Sequence, residues 1–316
     1  MYLQFYGLRE APFSPTPDPR FLFQSARHRE ALAQLIYGVR ERKGFIVLTG
    51  EIGTGKTTLL RTLLERLDGE PVAFVHNSAL PIEGLLEYVM HDWGAKSSAT
   101  THAQRLVELN EFLIEQHRRG VSPVLVIDEA QNLGIATLEA VRLLSNFETT
   151  SQKLMQILLV GQPELRDKLG APELRQLKQR IGMRCHIGPL SPEETRLYIR
   201  HRLRVAGAAD TGLFTDGAVQ KITEYSRGIP RVINIVCDHC LLSGYADSKK
   251  RIDAGMVDGA IEYLEEGERP SWRRSRQRRL TPSPAAVWAA RGGVAVLVVA
   301  LIMMLVFAVN AVGWLP

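Results

Sequence analysis

The sequence predicts an α/β domain with a parallel sheet, an all-helical domain after it, and one C-terminal transmembrane helix. Short apolar runs alternate with helix-length segments up to residue 190, which is typical of a parallel sheet covered by helices on both faces. Beyond residue 190 only helical periodicity follows. Near its end the chain holds 24 residues without a charged side chain, 292–315, enough to span a bilayer as a helix.

The positive charge of the chain is concentrated beside that apolar run. The 316 residues have a net charge of +5, yet residues 268–291 alone hold seven arginines and one glutamate. Arginines on one flank of a spanning helix predict that this flank is cytoplasmic and contacts anionic lipid. The other residues are close to neutral overall, so we do not expect them to bind nucleic acid.

These patterns divide the chain into five segments. They are an N-terminal segment and helix (1–43), a sheet domain (44–190), a helical lid domain (191–267), a basic juxtamembrane linker (268–291) and a transmembrane helix (292–315). No signal-peptide pattern opens the chain, so we expect residues 1–267 to stay in the cytoplasm, anchored by a single pass through the inner membrane of a bacterium.

Each secondary-structure element has its own sequence signal. Buried strands are predicted from apolar runs at 45–49, 71–75, 123–128, 155–161 and, more weakly, 184–190. Apolar residues at helical spacing predict a helix before Gly44 and further helices at 193–205, 216–226, 230–245 and 253–265. Ser191, Pro192 and Glu194 have the pattern of a capping box and therefore predict where the helical domain begins.

The most specific motif follows the first strand and opens a helix. It matches GxxxxGK[ST], the phosphate-binding loop called the P-loop, whose backbone N–H groups cradle phosphates at a helix N-terminus. The lysine is expected to reach the β- and γ-phosphates of ATP, and the first threonine to hold Mg²⁺. The predicted nucleotide-binding residues are Gly50, Glu51, Ile52, Gly53, Thr54, Gly55, Lys56, Thr57 and Thr58.

Two neighbouring acids end the third predicted strand, in the stretch VLVIDEAQ. Asp128 is predicted to hold Mg²⁺ together with Thr57, and Glu129 to orient and deprotonate a water molecule. The alternative is that these two acids are ordinary surface charge at the end of a strand. The P-loop upstream favours the catalytic interpretation.

Polar residues further along the chain are candidates for sensing or stabilising the γ-phosphate. Gln162 ends the next strand, although a polar residue that starts a helix is the alternative. Among Arg175, Arg180 and Arg184, we choose Arg180 as an arginine finger that reaches a neighbouring subunit, the alternative being a solvated basic helix end. Arg231 opens a helix of the predicted lid and is expected to fold over the nucleotide, unless it is a surface arginine.

Together these motifs resemble those of AAA+ ATPases. The opening FYGLREAPFSPTPDPRFLF and the stretch HREALAQLIYGVRERKGFIVLTGEIGTGKTTLLRTLLERL resemble the general secretion pathway protein A (ExeA/GspA) family and its relatives in pilus biogenesis and exosortase systems. The resemblance covers about residues 1–267. It implies sensor, finger and lid-arginine roles for Gln162, Arg180 and Arg231.

The resemblance also implies a cellular role. We expect a membrane-tethered ATPase that forms a dimer or ring and acts on an integral membrane partner of a cell-envelope system. Members of type II secretion systems continue beyond the transmembrane helix into a periplasmic peptidoglycan-binding domain, whereas this sequence ends at Pro316. Direct cell-wall binding is therefore not expected. Two other interpretations stay open: a DNA-associated AAA+ switch, and a nucleotide-gated scaffold with little turnover.

Overall fold

A five-stranded parallel sheet forms the centre of the fold. The computed structural model describes residues 1–67, 69–76 and 81–266. The strands are β1 (Phe45–Gly50), β2 (Val72–Val75), β3 (Val124–Ile127), β4 (Gln156–Gly161) and β5 (Ile181–Ile187). Their order across the sheet is β2-β3-β4-β1-β5, and every pair is parallel. The predicted parallel α/β sheet is confirmed.

Helices cover both faces of the sheet and explain why its central strands are mostly apolar. They are α1 (Tyr2–Tyr6), α2 (Ala26–Arg40), α3 (Lys56–Leu64), α4 (Ile82–Asp92), α5 (His102–Arg118), α6 (Ile135–Leu144), α7 (Pro163–Lys168) and α8 (Arg175–Arg180). Alternate residues of β1 enter opposite cores: Ile46 and Leu48 pack with leucines of α2 and α3, whereas Phe45 and Val47 pack with α4, α5 and α6. With both faces covered, every residue of β1 is buried.

The part of the chain after the sheet is helical. Its helices are α9 (Pro192–Val205), α10 (Asp216–Ser226), α11 (Pro230–Ala246) and α12 (Ala254–Glu266). The predicted capping box is present, because Ser191 Oγ accepts from Glu194 N and the Glu194 carboxylate accepts from Ser191 N. Residues 1–258 form one compact unit. The last residues that the structure describes, 259–266, belong to a second unit and form the rest of α12.

The N-terminal segment runs from the helical part back to the sheet. The Tyr2 hydroxyl donates to Asp238 of α11 at 2.6 Å, and Arg9 N donates to the carbonyl of Ala206 at 2.8 Å. Further along, the carbonyl of Pro17 accepts from Arg61 of α3 at 2.6 Å. The segment therefore contacts both parts of the fold before α2 begins.

The last strand differs from the prediction of 184–190. It starts three residues earlier, since Ile181 already pairs with Phe45, and it ends at Ile187, ahead of Gly188 and Pro189. Arg184 therefore lies in the middle of β5 rather than at its start.

The predicted membrane elements fall outside the described residues. These elements are the basic linker at 268–291 and the spanning helix at 292–315. Among the helices of residues 1–266 that the structure describes, none is long and apolar enough to cross a bilayer.

Candidate functional site

Three strand ends meet at the carboxyl edge of the sheet. Because β3, β4 and β1 are neighbours and run in parallel, the residues after them lie side by side. The P-loop follows β1, Asp128 and Glu129 follow β3, and Gln162 follows β4. The structure thus brings together the predicted phosphate-binding, acidic and sensor residues, which are far apart in the sequence.

The P-loop is shaped by glycines in the left-handed region. Gly53 has a φ of 79° and Gly55 a φ of 97°, both unfavourable for other residues. Between them, Thr54 is fully buried and its hydroxyl donates to the Glu51 carbonyl at 2.9 Å. The helix α3 begins directly after Gly55, so its first N–H groups are available to an anion.

Lys56 is buried within the P-loop. Its Nζ donates to the carbonyls of Gly50 at 2.7 Å and Glu51 at 3.0 Å. Burial lowers the pKa of the lysine, and the carboxylates of Glu129 and Asp128 oppose that shift. A cation held by two neutral carbonyls is available to a phosphate, since a charged acceptor gives the stronger hydrogen bond.

Asp128 and Thr57 have the chemistry of a magnesium site. The Thr57 hydroxyl donates to Asp128 Oδ2 at 3.4 Å, and the carboxylate is largely buried. Burial raises the pKa of Asp128, while a hydrogen bond from Glu129 N at 2.9 Å favours the ionised form. One carboxylate and one hydroxyl fit Mg²⁺, which takes few protein ligands and completes its shell with phosphate and water.

Two amide side chains hold the Glu129 carboxylate. Oε2 of Glu129 accepts from Gln162 Nε2 at 3.1 Å and from Gln131 Nε2 at 2.5 Å. The backbone of Glu129 is left-handed, with a φ of 51°, which turns the chain sharply at the strand end. The predicted base and the predicted sensor are therefore in direct contact.

A cavity of about 380 Å³ opens beside the P-loop. Its wall combines the sheet edge with the N-terminal segment and the helical part; it includes residues 14–18 and 21–23, His28, residues 52–58, Glu129, Leu190, Tyr198, Arg202, Pro230, Arg231 and Asn234. Arg202 is buried in this wall, where its guanidinium lies 4.7 Å from the centre of the Phe21 ring. We call this space the P-loop cavity.

Arg231 lies where the sequence predicts a lid arginine. It is exposed, lines the P-loop cavity, and its backbone N donates to the Gly53 carbonyl at 3.2 Å. A Cβ on Gly53 would lie only 2.6 Å from Arg231 Cβ, so the two backbones are in close contact.

The candidate finger residues lie elsewhere. Arg180 precedes β5 at the amino edge of the sheet, and its Nη1 donates to Ser145 Oγ at 2.7 Å and to Asn146 Oδ1 at 2.5 Å. The length of β1 places that edge about 17 Å from the P-loop, at roughly 3.3 Å per residue. Arg175 and Arg184 are exposed. None of the three lines the P-loop cavity of its own chain.

Sequence reasoning gave no role to several residues of this site. Gln131 belongs to the quoted stretch VLVIDEAQ, yet only the folded turn shows that its amide reaches Glu129. His28 and Arg202 appear as ordinary polar positions on helices. Nothing in their spacing indicates that either lines the cavity.

Comparison with known proteins agrees with this geometry. Residues 39–169 match the family model described as an AAA domain. General secretion pathway protein A of Aeromonas hydrophila is 43% identical over 259 residues, covering 81% of this chain and 47% of that protein. An uncharacterised HTH-type transcriptional regulator of Methanocaldococcus jannaschii is 28% identical over 186 residues, covering 55% of this chain and 43% of that protein. The chain thus spans about half the length of the curated relatives it matches.

Solved structures share the fold at low sequence identity. Cdc6p of Pyrobaculum aerophilum aligns with a TM-score of 0.60 at 18% identity, covering 80% of this chain and 70% of that one. The RuvB branch migration motor of Thermotoga maritima aligns with a TM-score of 0.52 at 19% identity, covering 78% and 72%. These structures support the P-loop AAA+ fold.

Proposed function

Because the chain is an AAA-domain relative of general secretion pathway protein A, we propose that it binds and hydrolyses ATP to drive or regulate assembly of a cell-envelope system of the type II secretion, pilus or exopolysaccharide kind. The observation that carries the ATPase proposal is that Lys56, Thr57 and Glu129 line one cavity, with Asp128 in contact with Thr57. A phosphate-binding cation, a magnesium ligand and a base are the groups that hydrolysis of a phosphoanhydride requires.

Each residue has a part in the proposed reaction. Lys56 exchanges the carbonyls of Gly50 and Glu51 for the β- and γ-phosphates, and the P-loop N–H groups bind the remaining oxygens. Asp128 and Thr57 hold Mg²⁺, which when bound neutralises phosphate charge.

Glu129 and Gln162 complete the site on the side of the γ-phosphate. Glu129 accepts a proton from the attacking water, and the amide of Gln162 contacts the γ-phosphate. Because that amide now donates to Glu129, binding of ATP changes the surroundings of the base. Arg231, which also lines the P-loop cavity, adds positive charge near the phosphates.

The substitution Glu129→Gln tests the hydrolysis step. It keeps the size of the side chain and removes the base, so we expect Mg²⁺-dependent ATP hydrolysis by the full-length protein to fall by about 10² to 10⁴-fold. Binding of a fluorescent ATP analogue should persist. Glu115→Gln, at an exposed glutamate of α5 that pairs with Arg119, is the matched control and should hydrolyse at the wild-type rate. Wild-type turnover by Glu129→Gln would contradict the proposal and favour a nucleotide-gated scaffold.

We propose further that the active form is a dimer or ring in which Arg180 serves the site of a neighbouring copy. Its position directly before the edge strand β5, far from its own P-loop, supports a role between copies. Arg180→Ala and Glu129→Gln should each be inactive alone, and mixing them should restore activity, since each supplies what the other lacks. The specific rate should rise with protein concentration. Arg175→Ala and Arg184→Ala are the controls. Full activity of Arg180→Ala alone, or a mixture of two inactive variants that stays inactive, would contradict this role.

The membrane tether is proposed from the sequence of residues 268–315. Seven arginines precede the uncharged run, which places the ATPase in the cytoplasm under the positive-inside rule. The proposed partner is an integral membrane component that pairs with the spanning helix, and the arginines are proposed to contact anionic lipid. Carbonate extraction of membranes checks the anchor, since a spanning protein stays in the pellet. Release of the full-length protein would contradict it.

The rival function is that of a DNA-associated switch. The printed name of the 28% identical relative describes a transcriptional regulator, which is a statement about that protein. The near-neutral charge outside the basic linker does not favour DNA binding. Salt-dependent binding of duplex DNA by a full-length protein whose linker arginines are replaced by serine would revive this function.

A further inference from the structure

We propose that His28 is a positioning residue of the phosphate site, which holds the peptide between Thr54 and Gly55 so that its N–H faces a bound phosphate. The proposal rests on the nucleotide binding proposed above and deepens it. It extends the P-loop site to the first turn of α2, a helix that the sequence placed in a separate N-terminal segment.

His28 is fixed by two hydrogen bonds. Its side chain is 3% exposed, with Nε2 at 3.1 Å from the Thr54 carbonyl and Nδ1 at 2.8 Å from Ser25 Oγ. Burial lowers the pKa of the imidazole, which favours the neutral form with a proton on one nitrogen. A carbonyl can only accept, so that proton lies on Nε2 and the Ser25 hydroxyl donates to Nδ1.

The Ser25 contact also fixes the orientation of the ring. Ser25 caps α2, its Oγ accepting from His28 N at 3.3 Å, and it is itself buried. The hydroxyl thus accepts from the backbone of His28 and donates to its side chain. A ring held on both sides loses little freedom when it binds the Thr54 carbonyl.

The bond to Thr54 sets the direction of the next N–H. The described part of the chain has no cis peptide bond, and in a planar trans peptide the C=O and the following N–H point in opposite directions. The Thr54 carbonyl faces His28, so the Gly55 N–H points away from it. Gly55 lines the P-loop cavity and immediately precedes Lys56. We assign that N–H to the phosphate cradle.

The contacts of Thr54 fix the start of this turn, whereas the carbonyl of the peptide itself is held by His28. Thr54 is fully buried, and its hydroxyl and N–H both interact with the Glu51 carbonyl, which fixes the start of the turn. Its own carbonyl has the imidazole as partner. Gly55, at a φ of 97°, is in a conformation that glycine leaves readily. Loss of the imidazole would therefore free the peptide to rotate.

Two amide substitutions separate the two contacts of the ring. Glutamine places an amide nitrogen three bonds from Cβ, the same count as His28 Nε2, whereas asparagine places one two bonds away, the count of Nδ1. His28→Gln should thus keep the donor to Thr54 and His28→Asn should keep only the partner of Ser25. His28→Ala removes both contacts.

The experiment measures the affinity of the full-length protein for a fluorescent ATP analogue without Mg²⁺, together with KM and kcat for ATP. We expect His28→Ala and His28→Asn to bind about 3- to 10-fold more weakly, the worth of one net hydrogen bond. His28→Gln should stay within about twofold of wild type. The change should appear in KM, with kcat largely kept. Thermal unfolding without nucleotide reports any general loss of stability.

The pattern across variants decides the outcome. A role confined to folding would order the affinities by thermal stability, with no selective rescue by glutamine. Asparagine rescuing better than glutamine, or all four proteins binding alike, would overturn the proposal. A wild-type protein that binds nucleotide and does not hydrolyse it would refute the ATPase proposal alone and leave the His28 assignment standing.

Discussion

The two edges of the parallel sheet use polar side chains in opposite ways. At the amino edge they fasten loops: Gln156, fully buried, accepts from Gly44 N at 2.8 Å and donates to Ser122 Oγ at 3.2 Å. At the carboxyl edge Lys56, Glu129 and Gln162 contact groups beside an open cavity. The contacts of the buried Gln156 hold the fold together, whereas those at the carboxyl edge can be exchanged for a ligand. Polar contacts of the first kind therefore belong to the fold, and those of the second kind to the site.

The sharpest test of this difference uses one lysine from each edge. Lys56→Ala removes the cation that we assign to the phosphates, and hydrolysis should fall by about 10² to 10³-fold, as for the loss of other charge-stabilising donors. Lys153→Ala removes a lysine at the amino edge that donates to the Ser145 carbonyl at 3.1 Å. It should leave KM and kcat unchanged. Steady-state ATPase assays on both variants measure this difference, and equal losses of ATPase activity would contradict it.

The next largest effect is expected from an added methyl group in the P-loop. Gly53→Ala introduces strain at a φ of 79° and a Cβ only 2.6 Å from Arg231 Cβ, so the affinity for ATP should fall about tenfold or more. Gly120 has nearly the same φ, 81°, with nothing within 4 Å of an added Cβ. Gly120→Ala should therefore cost about 1 kcal/mol of stability from strain alone and leave affinity intact. Similar affinities for the two variants would mean that the contact with Arg231 is unimportant.

A buried amide of the amino edge should affect only stability. Gln156→Leu keeps the approximate volume and leaves Gly44 N–H without its partner, which should lower the free energy of unfolding by about 1 to 3 kcal/mol. Hydrolysis per folded molecule should not change. Denaturant unfolding and ATPase assays at low temperature measure the two quantities. A selective loss of turnover would place Gln156 in the site.

The smallest effect concerns the glutamine that shares Glu129. Gln131→Ala removes one donor to the carboxylate, while Gln162 still donates to it, so kcat should fall about 3- to 10-fold with KM little changed. Gln152→Ala, at a glutamine that accepts from Arg42 at the amino edge, is the control. A turnover number above wild type would show instead that Gln131 restrains the base.

The sequence was most informative where local signals suffice. Apolar runs predicted all five strands, most clearly β1, β3 and β4, in which every residue is buried. The start of β5 was misplaced, since Ile181, Gly182 and Met183 form no such run and only their pairing with β1 makes them a strand. The P-loop and the pair of acids could be recognised in the sequence because the residues of each motif are close together in the chain.

Residues whose role depends on another part of the chain escaped prediction. His28 is 26 positions from Thr54, and Arg202 binds the carbonyl of Pro12 from 190 positions away. Gln131 is close to Glu129 in sequence, yet its amide meets the base only because the turn after β3 is left-handed. These contacts depend on tertiary structure, which hydrophobic periodicity does not describe.

The contact between Gly53 and Arg231 has a consequence for how the chain tolerates change. Arg231 donates to Gly53 through its backbone N–H, one of the first-turn donors of α11 that no helical carbonyl can satisfy. A hydrogen bond made by the main chain does not depend on which side chain residue 231 carries. Alanine scanning will therefore not detect it, whereas proline, which the first turn of a helix accepts, would remove it. Related sequences can therefore keep this hydrogen bond between the P-loop and α11 even where they differ in the side chain at residue 231.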